Sequence, residues 1–175
     1  MVEEKAIDEM MAGWALFHAR RPDWKLIVCG TGPFESCLEG VKGVDHRGFV
    51  QPGDLPRIML EADALLLSSK FEAWSATMQE AACAGLAILA TRACGATDAF
   101  LRDGVNGFLI DQPKAPDVAA ALMRYADLSP VQRADFARES AVLGLSRTPE
   151  DWAASMLGAY RQRKGQQPCP VEVLT

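Results

Sequence analysis

The chain has 175 residues, a net charge of −5 and 49% apolar residues, a balance typical of a globular domain rather than of a disordered or fibrous protein. No apolar run reaches the roughly 18 residues that a membrane span needs, and the acidic start Met1-Val2-Glu3-Glu4 is unlike a signal peptide. The acidic balance argues against a large basic surface for nucleic acid. These features predict a cytoplasmic protein with one sizeable core.

The cysteines and histidines give no sign of a disulfide framework or a metal site. The five cysteines are odd in number and contain no C-x-x-C pair, and the two histidines, His18 and His46, are far apart in the sequence. Cys29 and Cys83 lie in apolar segments, where cysteine acts as a small hydrophobic residue. We therefore expect reduced thiols and no bound metal.

Helices and short apolar strands alternate along most of the chain. The periodicity predicts helices over Ile7–His18 and over 34–41, 55–62, 76–84 and 97–102, with Asp54 capping the third of them. Strands are predicted over 24–29, 44–49, 64–67, 86–90 and 108–110, and three more helices over 117–128, 130–143 and 149–161. Ser129-Pro130 and Thr148-Pro149 are typical helix starts. The pattern predicts an α/β fold, with a Rossmann-like parallel sheet, helices on both faces and a helical C-terminal extension.

The turn Gly30-Thr31-Gly32 matches part of a dinucleotide-binding fingerprint. Glu35 stands where the third glycine belongs, and the next strand ends in Gly48-Phe49 instead of an acidic residue. These departures favour an ordinary tight turn between a strand and a helix. A dinucleotide-dependent oxidoreductase is accordingly the weakest hypothesis for this sequence.

Glu72 and Glu80 flank the start of the predicted helix over 76–84. The first amides of a helix have no partner within it and can bind an anion, while a carboxylate at each end can accept hydrogen bonds from hydroxyl groups. The arrangement suits a ligand with a phosphate centre and hydroxyl-rich ends, such as a nucleoside diphosphate sugar. The alternative is a helix start with a favourable acidic residue and one solvated glutamate.

Six segments in one order resemble the GT-B glycosyltransferases of the large group 1 family (family 4). The run from Ser69 to Ala90 is similar to the family signature, which has a serine, an E-x7-E pair, small residues, a glycine and an apolar strand. The other five segments each resemble one further family motif. Residues 4–8 resemble E-K-G-x-D, residues 26–33 a strand ending in G-x-G-P, and residues 48–50 the turn G-F-V. Residues 62–64 resemble the A-D step, and residues 103–110 resemble D-G-x-N-G-x-L-V. The resemblance covers about residues 1–162 as one sugar-nucleotide-binding lobe, leaving 163–175 as a tail.

The resemblance implies a role for each matching residue. Glu72 would be the catalytic-site carboxylate facing the donor sugar, Glu80 would accept from the ribose hydroxyls, and Lys5 would bind the diphosphate. The remaining donor-binding residues would line the sugar, diphosphate and base, and are Gly30, Thr31, Val50, Ala73, Trp74, Ser75, Ala76 and Thr77. The family retains anomeric configuration and uses no metal or further cofactor. For Lys5, an exposed lysine at a helix start is the alternative.

The sequence also departs from the family pattern. Ala6 and Ser75 stand where glycine is frequent, and Trp74 stands where phenylalanine is common, which affects the expected shape of the sugar pocket. An arginine, the first strand of the lobe and the whole N-terminal lobe would precede Met1. Without that central strand, either the five remaining strands close into one sheet or another chain fills the slot. Any membrane association would come through the absent lobe.

Two functions from different classes follow. The leading hypothesis is the donor-binding domain of a retaining glycosyltransferase, whose isolated chain has little or no activity. The alternative is a degenerate lobe without catalysis that acts as an interaction or regulatory module. Under the leading hypothesis, acceptor choice is determined outside this segment.

Overall fold

The computed structural model describes residues 1–165, in which five short strands form two parallel sheets. The strands are β1 (Leu26–Cys29), β2 (Val44–Gly48), β3 (Ala64–Leu67), β4 (Ala87–Thr91) and β5 (Gly107–Ile110). β1 pairs with β2, and the second sheet has the order β3-β4-β5. The predicted parallel α/β architecture is confirmed. The five strands do not close into one sheet, because a cavity of about 980 Å³ lies between β1 and β3.

The helices of the described residues follow the predicted order with shifted ends. They are α1 (Ile7–His18), α2 (Leu55–Met59), α3 (Ala76–Cys83), α4 (Thr97–Phe100), α5 (Ala115–Ala126), α6 (Pro130–Leu145) and α7 (Pro149–Gly165). The helix predicted over 34–41 is only a short 3-10 turn, Glu35–Leu38. A second 3-10 turn, Glu3–Lys5, precedes α1.

Helix capping was predicted correctly at two starts and wrongly at a third. The Ser129 hydroxyl accepts from the amide of Gln132, and the Thr148 hydroxyl accepts from the amide of Asp151, so both predicted caps form. Asp54 makes no capping hydrogen bond, because its backbone is already helical (φ −92°, ψ −17°) and a capping side chain needs an extended backbone to reach the helix amides.

Strand β4 separates two layers of core. Ala87 and Leu89 belong to a cluster with α1 and α5, whereas Ile88 and Ala90 belong to a cluster with α3 and α4. Successive side chains of a strand point to opposite faces, so this alternation gives both faces of the sheet a helical cover. The predicted placement of helices on both faces is therefore confirmed.

Two cysteines differ from the expectation of small buried hydrophobic residues. Cys29 and Cys83 are exposed, and each is the last residue of its element, β1 and α3. At the end of a strand or helix, fewer neighbouring side chains cover a residue, which accounts for the exposure of both cysteines.

The chain divides into two compact units, Met1–Gly144 and a unit that begins at Leu145. The first holds all five strands. The second contains α7, on which Met156, Leu157 and Tyr160 are exposed. Of the predicted tail, 163–175, the first three residues belong to α7, and residues 166–175 lie outside the described part of the chain. Within residues 1–165, no helix combines the length and the apolar character required to cross a bilayer.

Candidate functional site

The first six residues run across the carboxyl ends of β1 and β3. The amide of Lys70 donates to Glu4 O at 2.7 Å, and the Ser68 hydroxyl donates to Lys5 O at 3.2 Å. At the other end, the Met1 ammonium donates to Thr31 O. One short segment therefore contacts the loops that follow both strands, and the carboxyl ends of the two sheets lie on the same side. This is the edge where ligands bind in open parallel sheets.

Lys5 and Glu72 form an ion pair at this edge. Lys5 Nζ lies 2.7 Å from Glu72 Oε2, and the same carboxylate oxygen accepts from the Ser69 hydroxyl at 3.2 Å. The Glu72 side chain is only 15% exposed, and that of Lys5 is 37% exposed. The pair joins two predicted site residues that are 67 positions apart in the sequence, and its carboxylate is largely shielded from water.

The loop after β4 holds the backbone of Glu72. The Glu72 amide donates to Ala93 O at 3.1 Å, and the Gly95 amide donates to Glu72 O at 2.9 Å. A Cβ atom at Gly95 would collide with Ala73 O, so only glycine permits this approach. The sequence analysis missed Gly95, whose only signal was a glycine in a loop between a strand and a helix.

Helix α3 begins beside Glu72. The Ser75 hydroxyl accepts from the amide of Met78 at 3.3 Å, so one of the first-turn amides is satisfied by the cap. The amides of Ala76 and Thr77 precede the first possible bond within the helix. Ser75 is buried, while Ala73 and Ala76 are exposed and Thr77 is half-buried. The start of α3, which follows Glu72 by four residues, thus has backbone donors without a partner inside the helix.

Trp74 and Glu80 lie at the surface around this turn. Trp74 is 50% exposed and packs edge to face on the buried Phe100, with ring centroids 5.9 Å apart. Glu80 is exposed on α3, and within residues 1–165 its carboxylate forms no ion pair. Both side chains are accessible from solvent.

The carboxyl end of the β1–β2 sheet carries a glycine turn and a histidine that holds it. Gly30 has a φ of 108°, and its amide donates to Gly48 O at 2.6 Å. His46 Nε2 lies 2.8 Å from Gly30 O, and its Nδ1 lies 3.7 Å from a Glu35 carboxylate oxygen. His46 therefore anchors the glycine turn, a role that the sequence analysis did not foresee because the contact joins two strands.

The predicted site residues lie at one edge but do not all touch. Lys5 and Glu72 are in contact, Gly30 and Thr31 follow β1, and the half-buried Val50 follows β2. The remaining predicted residues form the start of α3 and are Ala73, Trp74, Ser75, Ala76, Thr77 and Glu80. The edge therefore combines a cation, free helix amides, two carboxylates and a glycine turn.

The fold is similar to those of several solved structures, two of which are described here. The chain resembles TarM with a TM-score of 0.79 over 93% of this chain and 33% of that one, at 18% identity. It resembles the pneumococcal O-GlcNAc transferase GtfA, solved in complex with UDP and GlcNAc, with a TM-score of 0.77 over 92% of this chain and 34% of that one, also at 18% identity. These likenesses define the class of fold.

The family is shown by sequence. The family model described as "Glycosyl transferases group 1" matches residues 1–141, and the chain belongs to this family. It is 29% identical over 128 residues to the GtfA subunit of the UDP-N-acetylglucosamine–peptide N-acetylglucosaminyltransferase of Streptococcus parasanguinis, covering 71% of this chain. It is 29% identical over 143 residues to the D-inositol 3-phosphate glycosyltransferase of Arthrobacter sp. (strain FB24), covering 73% of this chain. The chain spans 25% and 32% of the lengths of these two relatives.

Proposed function

We propose that this chain is the donor-binding lobe of a retaining glycosyltransferase that takes a nucleoside diphosphate sugar. The observation that carries the proposal is the contact of Lys5 with Glu72 beside the start of α3. A cation and free amides suit a diphosphate, and carboxylates suit sugar hydroxyls. The name of the S. parasanguinis relative specifies a UDP-sugar, which makes UDP the first nucleotide to test.

The proposed chemistry depends on charge that develops on the leaving diphosphate. When the bond between the sugar and the phosphate breaks, negative charge grows on the phosphate oxygens. The Lys5 ammonium and the amides of Ala76 and Thr77 would stabilise that charge more in the transition state than in the ground state. Glu72 would contact the donor sugar, and Glu80 would accept from the ribose hydroxyls.

The remaining roles concern the residues that follow β1 and β2, and the binding of the acceptor. Gly30 and Thr31 would line the crevice, Val50 would lie near the base, and the backbone from Ala73 to Ser75 would follow the sugar. We infer that the acceptor binds to a lobe outside this segment, because the chain spans only 25% and 32% of two relatives. The isolated chain would then bind donor with little turnover, as part of a cytoplasmic enzyme of carbohydrate biosynthesis.

Calorimetric titration of the chain with UDP, GDP and ADP tests this proposal. We expect one nucleotide to bind, and Glu80→Ala to weaken its binding by about tenfold through loss of ribose hydrogen bonds. Glu139→Ala is the matched control, since Glu139 is also an exposed helical glutamate and lies on α6. Binding of no nucleotide, or equal affinity for the Glu80→Ala variant and the control, would overturn the proposal.

The second candidate is a non-catalytic interaction module. The observation that favours it is that Lys5 and Glu72 are each other's partners in an ion pair, an arrangement that also occurs in purely structural ion pairs. A stable partner chain, combined with failure of every nucleotide in the titration, would support this candidate instead.

A further inference from the structure

Glu72 has two polar partners that are held with different firmness. Lys5 reaches Glu72 Oε2 with a flexible side chain that is 37% exposed. The Ser69 hydroxyl donates to the same oxygen at 3.2 Å, and Ser69 is only 1% exposed. A serine side chain has a single torsion between its backbone and its oxygen, so it has little freedom to turn away. Of the two partners, Lys5 is the one that can leave.

Buried hydroxyl groups hold the backbone of Ser69. The Thr91 hydroxyl, at the end of β4, donates to Ser69 O at 2.6 Å, and the Thr97 hydroxyl, at the start of α4, donates to Thr91 O at 3.0 Å. All three residues are buried. Because a buried polar group that loses its partner destabilises the fold, these contacts keep Ser69 in a fixed place relative to β4.

The same part of the chain holds the backbone of Glu72. The Glu72 amide donates to Ala93 O, and the Gly95 amide donates to Glu72 O, at 3.1 and 2.9 Å. The segment from Ser69 to Glu72 is thus tied at both of its ends to β4 and the loop that follows it. The distance between the Ser69 hydroxyl and the Glu72 carboxylate is therefore set without Lys5.

The contacts of the Glu72 carboxylate among the described residues fall on one of its two oxygens. Lys5 and Ser69 both contact Oε2. Each carboxylate oxygen can accept about two hydrogen bonds, so these two donors fill the capacity of Oε2, and Oε1 has capacity for a hydroxyl group. Because a carboxylate is planar, a group that fixes Oε2 also limits the direction in which Oε1 points.

We propose that Ser69 is a positioning residue for Glu72. Under the proposed function, on which this inference rests, the diphosphate of the donor takes Lys5 away from Glu72. The Ser69 hydroxyl then remains on Oε2 and keeps Oε1 directed at a hydroxyl group of the donor sugar. Ser69 acts through Glu72, so it contributes to recognition of the sugar and leaves recognition of the nucleotide unchanged.

Side-chain relaxation of Glu72 in the 175-residue chain tests the inference without a ligand. Lys5→Met removes the ammonium, and this change is then combined with Ser69→Ala. The matched control combines it with Ser140→Ala, since Ser140 is also buried and its hydroxyl donates to Asn106 O at 3.4 Å, a contact that involves no carboxylate. The measured quantity is the NMR order parameter of the Glu72 Cγ–H bonds, and amide spectra establish that each variant is folded.

We expect Lys5→Met alone, and Lys5→Met with Ser140→Ala, to keep the order parameter of the unchanged chain, because Ser69 still holds the carboxylate. With Ser69→Ala added to Lys5→Met, the order parameter should fall below roughly 0.6, the range of flexible groups. The inference is overturned if Lys5→Met alone releases Glu72, if Ser69→Ala leaves Glu72 ordered, or if both serine changes act alike.

Calorimetry measures the consequence for the donor. Ser69→Ala and Ser140→Ala are compared with the unchanged chain in their affinities for UDP and for UDP-N-acetylglucosamine, which the name of the S. parasanguinis relative specifies. Ser69→Ala should lower the ratio of the second affinity to the first by roughly tenfold, with the affinity for UDP unchanged. An equal ratio in all three proteins overturns the inference, even where UDP binding supports the proposed function. Failure of all three to bind UDP counts against the proposed function, and the relaxation result is independent of it.

Discussion

Lys5 Nζ lies 2.7 Å from Glu72 Oε2, which links the 3-10 turn at the start of the chain to the loop that follows β3. The pair is at the carboxyl edge of the sheets and beside the first turn of α3. Its partial shielding from water makes it stronger than a fully exposed ion pair, while its accessible ammonium can still exchange partners. The relationship leads to one prediction about stability and one about binding.

A double-mutant cycle measures the contribution of this ion pair to stability. Lys5→Met, Glu72→Gln and the double variant should show a coupling free energy of about 0.5–1 kcal/mol, as for a partly exposed ion pair. The measurement is urea denaturation at low and high salt, and the coupling should fall as salt screens the charges. Strict additivity of the two single changes at low salt would contradict the prediction.

The same two variants should differ in nucleotide binding. If Lys5 binds the diphosphate, Lys5→Met should weaken UDP binding by about tenfold. Glu72→Gln should bind UDP at least as tightly as the unchanged chain, because the carboxylate that competes for Lys5 has been removed. Calorimetry gives both affinities. Unchanged affinity in Lys5→Met would favour the alternative that Lys5 is an ordinary lysine at a helix start.

Gly95→Ala should destabilise the protein and displace Glu72. The new methyl group would collide with Ala73 O, so the loop after β4 has to move, at a cost of about 1–3 kcal/mol. Gly53→Ala is the matched control, because a Cβ atom there meets no heavy atom within 4 Å. Thermal unfolding of both variants is the measurement. Equal melting temperatures would show that the approach of Gly95 to Ala73 is not close in solution.

Ser75→Ala should cost about 1 kcal/mol through loss of the helix cap. The Ser75 hydroxyl is buried and accepts from the amide of Met78, which would lose its partner. Ser36→Ala is the comparison, since Ser36 is exposed and lies in a 3-10 turn. Urea denaturation of the two variants should separate them, and no difference between them would contradict the role of Ser75 as a cap.

Tyr125 should make the stability of the protein depend on alkaline pH. Tyr125 is 2% exposed, its hydroxyl donates to Asp63 O at 3.1 Å, and burial raises its pKa to about 12. The unfolded chain has the ordinary tyrosine pKa of about 10, so between these values the folded state binds more protons. Stability is therefore complete below pH 10 and falls as pH rises through the window, by about 1.4 kcal/mol at pH 11.

Tyr125→Phe isolates this effect from the other groups that titrate at high pH. The free energy of unfolding of the unchanged chain should fall more steeply between pH 9 and 11 than that of the variant. Parallel curves for the two proteins would mean that the hydroxyl keeps its ordinary pKa in the folded state.

Local sequence patterns predicted most of the elements, and the errors have local causes. Ser129 and Thr148 were predicted as caps because cap, proline and helix are contiguous in sequence. Asp54 failed because its backbone is helical, which its neighbours in the sequence do not reveal. The helix predicted over 34–41 is a 3-10 turn of four residues, because the next residue, Glu39, has an extended backbone (φ −62°, ψ 128°) that ends the turn.

The candidate site was predictable where its residues form one contiguous run. Glu72, Ser75 and Glu80 flank a helix start that the sequence itself marks. The hydrogen bond between His46 and Gly30, and the close approach of Gly95 to Ala73, join residues from separate elements. Such contacts depend on strand register and loop path, which no local pattern encodes.

The sequence by itself determined the parallel α/β fold and the family resemblance, because periodicity and turn chemistry depend on neighbouring residues. Only the tertiary structure decided that Lys5 meets Glu72 and that the five strands remain two sheets with a cavity between β1 and β3. An apolar strand such as Ala64–Leu67 has the same sequence whether one or both of its edges are paired. Pairing is a property of the whole chain, since it depends on which other strand lies within hydrogen-bonding distance.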